Sequence, residues 1–258
     1  MNAMDPCRKL CKLAGEAIVR FRMIGDGDRV LVGLSGGKDS FALLHVLHEL
    51  RRRAPVRFEV IAATFDPGFP EFNLEGIRAY CRERNWEHHT VSLPIAQILE
   101  EKRFTGAPCV LCSRLRRGKL SGLAAELGCG KLALGQHFDD VAASFLMSLC
   151  RGQGLSTMGP NVATSEGNLR VIRPFVLSPE ALIREAVRAW ELPRAGVCQY
   201  ESQLEEGDRA FFRKLVDELA ERIPCLRSNF CSSLGRIEPE HLLDPRYLFQ
   251  MEQQGNEP

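Results

Sequence analysis

The sequence predicts an α/β protein built on a mostly parallel sheet of five strands with helices on both faces. Short apolar runs rich in β-branched residues alternate with longer runs of helical period along the chain. The helical runs are long enough to be the crossovers that parallel strands require. Polar loops follow three of the apolar runs, and ligands bind at such loops in this class of fold. The expected architecture is therefore Rossmann-like.

Each predicted element follows from its own periodicity. The five predicted strands are residues 30–34, 58–65, 88–93, 131–135 and 169–175. Helices are predicted at 41–53, 72–84, 112–127, 141–150 and 179–190. An amphipathic helix over 7–21 precedes the sheet, with Leu10, Ala14, Ala17 and Phe21 along one stripe. Two more helices, 205–222 and 225–234, are predicted after the last strand and helix of the sheet region. The polar, glycine-rich loop after Cys150 is expected to be a mobile lid or a plain connection.

The chain is long enough for one substantial core and a small appended region. It has 258 residues, of which 45% are hydrophobic. We expect an N-terminal helix in 1–24, an α/β domain in 25–192 and a helical appendage in 193–258. The 34 basic and 33 acidic residues nearly balance, so a polyanionic partner has to meet a local basic patch. With no targeting or membrane-spanning segment apparent, the sequence predicts a soluble, cytoplasmic protein.

The stretch "LSGGKDS" connects the first predicted strand to the next helix. Glycines let a backbone approach a ligand closely, the helix N-terminus presents N–H groups, and a lysine adds a full charge. The loop therefore predicts a phosphate cradle formed by Ser35, Gly36, Gly37, Lys38, Asp39 and Ser40. Its spacing differs from that of the kinase-type phosphate loop. The alternative is an ordinary glycine turn in which Asp39 or Ser40 caps the helix.

A pair of cysteines with a two-residue spacing, Cys109 and Cys112, stands near the start of a predicted helix. This spacing lets two thiolates bind one metal centre or form a redox pair, and a helix N-terminus favours the thiolate. Cys198, in a polar stretch, is the best candidate for a third ligand. The alternative is that these cysteines are small buried hydrophobic residues.

The stretch "LGQHFDD" ends another predicted strand and begins a helix. Gly135 ends the strand, and His137, Asp139 and Asp140 follow near the expected nucleotide position. The simpler interpretation is that one aspartate caps the helix and the other favours its dipole. A cationic stretch beside the cysteine pair either contacts RNA phosphates or is a solvated helical face; its members are Arg114, Arg116, Arg117 and Lys119.

The motifs taken together resemble a known family. "LSGGKDS" resembles the signature of the PP-loop ATP pyrophosphatase superfamily, whose fold is adenine nucleotide alpha hydrolase-like. That loop, "DPGFPEF", "CVLCSRLRRG", "LGQHFDD", "VIRPF" and "PEHLLDP" occur in the order found in the tRNA 2-thiocytidine biosynthesis family. The similarity extends over nearly the whole chain.

The resemblance implies an ATP- and Mg²⁺-dependent tRNA thiolase that makes 2-thiocytidine, with position 32 of the anticodon loop as the expected site. It implies a [4Fe-4S] cluster held by Cys109, Cys112 and Cys198, and an ATP site lined by Ser35 to Ser40, Arg116, Gly135 and Asp140. Lys38 would hold the pyrophosphate and Asp39 would help to hold Mg²⁺. The implied partners are tRNA, a cysteine desulfurase or other sulfide donor, and a second copy of the chain in a homodimer.

The chain departs from the family pattern at Gln136 and Phe138, where a histidine and an arginine are common, and in the short stretch "CQYESQ" around Cys198. Three alternatives therefore stay open. They are a divergent PP-loop enzyme that thiolates another substrate, a related enzyme that activates a carbonyl for nitrogen, and a non-catalytic nucleotide-binding iron or redox sensor.

Overall fold

The computed structural model describes residues 5–69, 71–95, 98, 108–165, 167–192 and 207–245, with side chains for all of these except 108–110. The strands in these ranges are β1 Asp28–Gly33, β2 Phe58–Asp66, β3 His88–Ser92, β4 Lys131–Ala133, β5 Asn161–Ala163 and β6 Arg170–Ile172. The helices are α1 Pro6–Arg20, α2 Lys38–Arg51, α3 Leu74–Glu83, α4 Pro108–Glu126, α5 Phe138–Cys150, α6 Glu180–Ala189, α7 Asp208–Arg222 and α8 Leu226–Leu234. A short 3₁₀ turn spans Pro239–His241.

The strands form one sheet in the order β3-β2-β1-β4-β6-β5. Val30 at the centre of the sheet pairs in parallel with Val60 on one side and with Lys131 on the other, and Leu132 pairs in parallel with Val171. The direction in which successive strands are added reverses between β1 and β4. Loops that leave the two strands at such a point diverge and open a crevice at their carboxyl ends.

The predicted fold class is confirmed, but the predicted number of strands is wrong because the sheet has a sixth strand. β5 pairs in antiparallel fashion with β6, with Val162 opposite Val171. This strand lies in the polar loop after Cys150, which is predicted from the sequence to be a mobile lid or a plain connection. Three residues are too few to show an alternating pattern, and Val162 and Ala163 are exposed, as suits an edge strand. Pairing with β6 therefore determines this strand.

Apolar side chains cover the two faces of the sheet. On one face, Leu120 of α4 packs in a cluster with Leu31, Ile61 and Leu132. On the other face α1, α2 and α6 pack against one another. The predicted apolar stripe of α1 is confirmed for its first three members, since Leu10, Ala14 and Ala17 are fully buried. Burial of α1 in this way attaches the N-terminal helix to the sheet domain.

The chain divides into two compact units, Met1–Val216 and Asp217–Pro258. The boundary between them falls within α7. In the second unit α8 begins after Cys225, whose φ of 64° is left-handed, and Arg227 Nη2 lies 3.3 Å from Asp217 Oδ1. The boundaries predicted from the sequence, after residues 24 and 192, stay predictions. None of the helices in the described ranges has the length and apolar composition that crossing a membrane requires.

A cluster of aromatic rings connects α2 to α3 and to the C-terminal end of α6. His45 Nε2 lies 2.5 Å from the hydroxyl of Tyr80, and the His48 ring stacks on Trp86 with centroids 4.1 Å apart. The Trp190 ring is 5.3 Å from that of His45. Burial, together with the charge of neighbouring cations, lowers the pKa of both histidines to about 4. The cluster is therefore built for neutral imidazoles.

The histidine cluster predicts a loss of stability in mild acid. A histidine whose pKa is lowered on folding stabilises the native state fully above its unfolded value of about 6.5, and this contribution is lost as the pH falls towards 4. His48→Phe keeps a ring on Trp86 but cannot take a proton. We expect its free energy of unfolding to fall less steeply between pH 6.5 and 4 than that of the wild type, as measured by urea unfolding. His89→Gln, at a more exposed position, is the control, and equal pH profiles for His48→Phe and the wild type would contradict the interpretation.

Candidate active site

The loop between β1 and α2 lies at the carboxyl end of the central strand, where the crevice opens. Gly36 has a φ of 84°, which favours glycine, and Gly37 is the N-cap of α2 in an extended conformation. The N-cap Gly37 has no side chain that could cap the first turn of α2, and no other side chain among the described residues does so, so the N–H groups of this turn are available to a ligand. The alternative in which Asp39 or Ser40 caps the helix is wrong, because both residues lie within the first turn.

Two serine hydroxyls hold this loop in shape. Ser40 Oγ donates to the carbonyl of Gly37 at 2.8 Å and accepts from the backbone N–H of Ser35 at 3.1 Å. The hydroxyl of Ser35 lies 3.2 Å from that of Ser40 and accepts from the N–H of Gly37 at 3.4 Å. The loop predicted to be a phosphate cradle is thus held in one conformation by its own hydrogen bonds, and its binding of phosphate stays a prediction.

Lys38 and Asp39 supply the charges at the mouth of the loop. Lys38 Nζ donates to Asp39 Oδ2 at 3.0 Å and lies 2.8 Å from Glu180 Oε1. The other carboxylate oxygen, Asp39 Oδ1, is buried and has no hydrogen-bond partner in the described part of the chain. A buried carboxylate oxygen left in this way is costly unless a ligand satisfies it, and a carboxylate oxygen is what Mg²⁺ binds. The Lys38 ammonium and the free carboxylate oxygen of Asp39 therefore fit a polyphosphate with a divalent cation.

Gly135 brings the end of β4 against the start of α2. A Cβ atom at this position would lie 2.9 Å from the carbonyl carbon and oxygen of Asp39 and 3.1 Å from the nitrogen of Ser40. These are backbone atoms and cannot turn away, so only glycine fits here. The prediction from the sequence that Gly135 belongs beside the nucleotide loop agrees with this contact.

His137, Asp139 and Asp140 form the start of α5. His137 is the N-cap and is almost fully buried, and its N–H donates to Asp140 Oδ2 at 3.2 Å. Asp139 Oδ2 accepts from the N–H of Glu180 at 2.7 Å and lies 3.5 Å from His137 Nδ1. The interpretation that an aspartate caps the helix is wrong because His137 is the N-cap, but both aspartates lie in the first turn, where their charge favours the helix dipole. The two carboxylates order α5 and α6, and a direct contact of His137 or Asp140 with nucleotide stays a prediction.

Glu180 and Arg213 belong to the site, although neither is predicted from the sequence. Glu180 Oε2 accepts from Arg213 Nη2 at 2.8 Å, and the same guanidinium nitrogen lies 3.2 Å from His137 Nε2. Burial opposes the ionisation of Glu180, but hydrogen bonds and charges from Lys38, Arg184 and Arg213 outweigh it and lower its pKa to about 2. An acidic residue directly after Pro179 at a helix start is a weak signal for Glu180, and the sequence carries none for Arg213.

The predicted cluster ligands are described only in part. Cys112 is half-buried on α4 and packs against Phe65, Phe69 and Ile95, beside the carboxyl end of β2. It therefore lies at the edge of the sheet that also carries the nucleotide loop. The side chain of Cys109 and the whole of Cys198 lie outside the described residues.

Arg116, the remaining predicted ATP-site residue, is half-buried on α4. It makes no hydrogen bond or ion pair with residues 34–40 within the described ranges. Its predicted contact with ATP therefore stays a prediction.

The fold and the loop define the class of this protein. Residues 9–193, well over half of the chain, match the model of the PP-loop domain. The structure of the U34-tRNA thiolase NcsA from Methanococcus maripaludis with its [4Fe-4S] cluster aligns with a TM-score of 0.72 and 24% identity. The alignment covers 90% of this chain and 80% of that one, and it shows a shared fold.

Curated relatives narrow the class to a family. A tRNA-cytidine(32) 2-sulfurtransferase of Syntrophotalea carbinolica is 42% identical over 238 residues, which are 92% of this chain and 92% of the relative. The protein of the same name in Geobacter sulfurreducens is 38% identical, again over 92% of this chain and over 93% of the relative. The chain therefore belongs to the tRNA-cytidine(32) 2-sulfurtransferase family of PP-loop proteins.

Gly135→Ala tests the close approach at the nucleotide loop. The added methyl group has to displace the backbone of α2, which we expect to lower the free energy of unfolding by about 2 kcal/mol. It should also weaken ATP binding at least tenfold, as measured by calorimetry, because the cradle moves with α2. Gly15→Ala is the control, since its Cβ would meet only Leu50 Cδ2 at an ordinary 3.7 Å. Wild-type ATP affinity in Gly135→Ala would show that the contact does not shape the cradle.

Glu180→Gln tests the charge network around Lys38. Because the pKa of Glu180 is lowered from 4.5 to about 2, its ionised form stabilises the fold above pH 4.5, and this contribution is lost as the pH falls towards 2. The shift corresponds to about 3 kcal/mol at neutral pH. We expect the variant to unfold more easily at pH 7 and to show a weaker pH dependence below 4.5. Glu185→Gln, exposed on the same helix, is the control, and a change of equal size in both variants would contradict the assignment.

Proposed function

We propose that this protein is an ATP-dependent tRNA sulfurtransferase that activates the carbonyl of a cytidine at position 32 and replaces its oxygen by sulfur. The observation that carries the proposal is that the Lys38 ammonium, which pairs with Asp39 Oδ2, and the unsatisfied Asp39 Oδ1 lie together at the N-terminus of α2. This arrangement suits the triphosphate of ATP and its Mg²⁺. Family membership supports tRNA as the substrate and sulfur as the transferred atom.

The first step has to convert a poor leaving group into a good one. The carbonyl oxygen of the base attacks the α-phosphorus of ATP, the bond to the β-phosphate oxygen breaks, and pyrophosphate leaves. Negative charge accumulates on the pyrophosphate, where the Lys38 ammonium and the backbone N–H groups in the first turn of α2 can stabilise it. Sulfur then attacks the activated carbon, and the carbon–oxygen bond breaks with AMP as the leaving group.

The protein's own groups have separate roles in this proposal. Ser35 and Ser40 hold the backbone N–H groups in the conformation that faces phosphate. Asp39 provides a ligand for Mg²⁺, which neutralises phosphate charge when bound. Glu180 fixes the ammonium of Lys38, and Arg213 holds Glu180 in place, so both act as positioning residues.

We propose Cys109, Cys112 and Cys198 as the ligands of a [4Fe-4S] cluster, in keeping with the family resemblance. When bound, such a cluster on three thiolates leaves one iron without a protein ligand, which supplies a position for sulfide. The position of Cys112 at the edge of the sheet that carries the loop supports this assignment. A cysteine desulfurase or another sulfide donor, a homodimeric state and a cytoplasmic location complete the proposal.

Nucleoside analysis of tRNA tests the function directly. In a strain that lacks the gene, we expect mass spectrometry to find no 2-thiocytidine, because activation and sulfur transfer are both lost. The wild-type gene should restore it, whereas Cys112→Ala should not and Lys38→Ala should lower it about 100-fold. Cys150→Ala is the matched control, since that thiol is exposed on α5.

Four outcomes would contradict parts of this proposal. Unchanged 2-thiocytidine in the deletion strain would contradict the function as a whole, and loss of a different thionucleoside would correct the substrate. A colourless, iron-free protein that still restores 2-thiocytidine would exclude the cluster. Turnover of ATP that depends on ammonia instead of sulfide would favour the nitrogen-transferring alternative.

A further inference from the structure

An open groove of about 960 Å³ runs along α4 on one face of the sheet. Its walls come from α4 on one side and from β6, β5 and the loop before β5 on the other. The groove residues on which the inference rests are Arg114, Arg117, Gly118, Gly122, Val171 and Arg173. In this region the sheet face beside α4 is left open by the described residues. A groove of this size can hold an extended chain segment.

The described residues give the groove a positive charge. Three arginines line it, and no aspartate or glutamate does so among the described residues. Burial, followed by the charge of Arg117, lowers the pKa of Arg173 from its ordinary value, so these two guanidinium groups interact unfavourably. No carboxylate of the described residues forms an ion pair with any of the three arginines. An anion in the groove would relieve this repulsion.

The inner end of the groove adjoins the nucleotide site. Arg173 Nε donates to Gln136 Oε1, and Arg173 Nη1 donates to the carbonyl of Gly159 at 2.5 Å. Gln136 directly follows Gly135, which touches the first turn of α2. A strand that lies in the groove and passes Arg173 therefore arrives beside the loop expected to hold ATP.

The surface of the groove suits a sugar–phosphate backbone. A Cβ atom at Gly118 or Gly122 would meet nothing within 4 Å, so α4 presents an open surface there. Small polar side chains and apolar patches make up the rest of the lining, and the polar side chains include those of Ser121, Thr164 and Asn168. Guanidinium groups with small hydroxyl and amide groups are the usual protein partners of phosphate and sugar.

We propose that this groove binds a strand of the substrate tRNA, with Arg114 and Arg117 on backbone phosphates and Arg173 at the end nearest the reacting base. The inference rests on the proposed function and adds the surface that delivers the RNA. Of the cationic stretch predicted from the sequence, Arg114 and Arg117 line the groove, whereas Lys119 does not. A second copy of the chain in the groove is the competing occupant, and the test separates the two.

The main test measures the affinity of the full-length protein for an unmodified tRNA transcript with a cytidine at position 32, by fluorescence anisotropy over a series of salt concentrations. We expect the double variant Arg114→Ala/Arg117→Ala to bind about tenfold more weakly and to lower the slope of log K against log salt by about 2. Lys119→Ala removes the same kind of charge from the same helix outside the groove. It should leave the affinity within about twofold of the wild type and change the slope little.

Gly122→Phe fills the groove without removing a charge. Because residue 122 is exposed in a helix with open space around it, the variant should fold, which circular dichroism and wild-type ATP affinity would verify. We expect at least tenfold weaker binding of the tRNA. Wild-type tRNA affinity in both groove variants would overturn the inference. So would a changed oligomeric state in sedimentation with tRNA affinity intact, since a second copy would then occupy the groove. Failure of the wild type itself to bind the tRNA would instead count against the proposed function.

Discussion

The contact between Gly135 and the first turn of α2 is the constraint on which the site depends. A side chain at this position would overlap backbone atoms of Asp39, so β4 and α2 can meet only through a glycine. Because β1 and β4 are parallel neighbours at the point where the strand order reverses, their loops open into one crevice. The cradle, the unsatisfied carboxylate oxygen of Asp39 and the start of α5 all take their positions from this packing.

Around that contact, charge is arranged in a connected network. Glu180 accepts from Lys38 of the nucleotide loop and from Arg213 of α7, and these partners outweigh the cost of burying its charge and lower its pKa to about 2. Asp139 connects the start of α5 to that of α6 through the N–H of Glu180. Lys38 is therefore held by a carboxylate until a stronger anion arrives. A polyphosphate with its own cation is such an anion, because it can satisfy Lys38 and Asp39 together.

The fold of this protein does not by itself determine its substrate. The chain shares its fold with a thiolase of 24% identity, and this similarity by itself fixes only the arrangement of strands and helices. The substrate has to be read from the surfaces around the crevice. One such surface is the arginine-lined groove along α4, whose inner end is fixed by the hydrogen bond from Arg173 to Gln136.

The sequence alone determined the α/β class, the five main strands and the loop of residues 34–40, because each is encoded by a local pattern of apolar period or by adjacent glycine, lysine and aspartate. Tertiary structure decided what local pattern cannot express. β5 is a strand only because β6 pairs with it, and Glu180 meets Lys38 across 142 residues of sequence. Arg213 reaches Glu180 from a helix whose own sequence resembles any solvated amphipathic segment. Contacts between distant segments depend on tertiary packing, and a local sequence pattern therefore does not predict them.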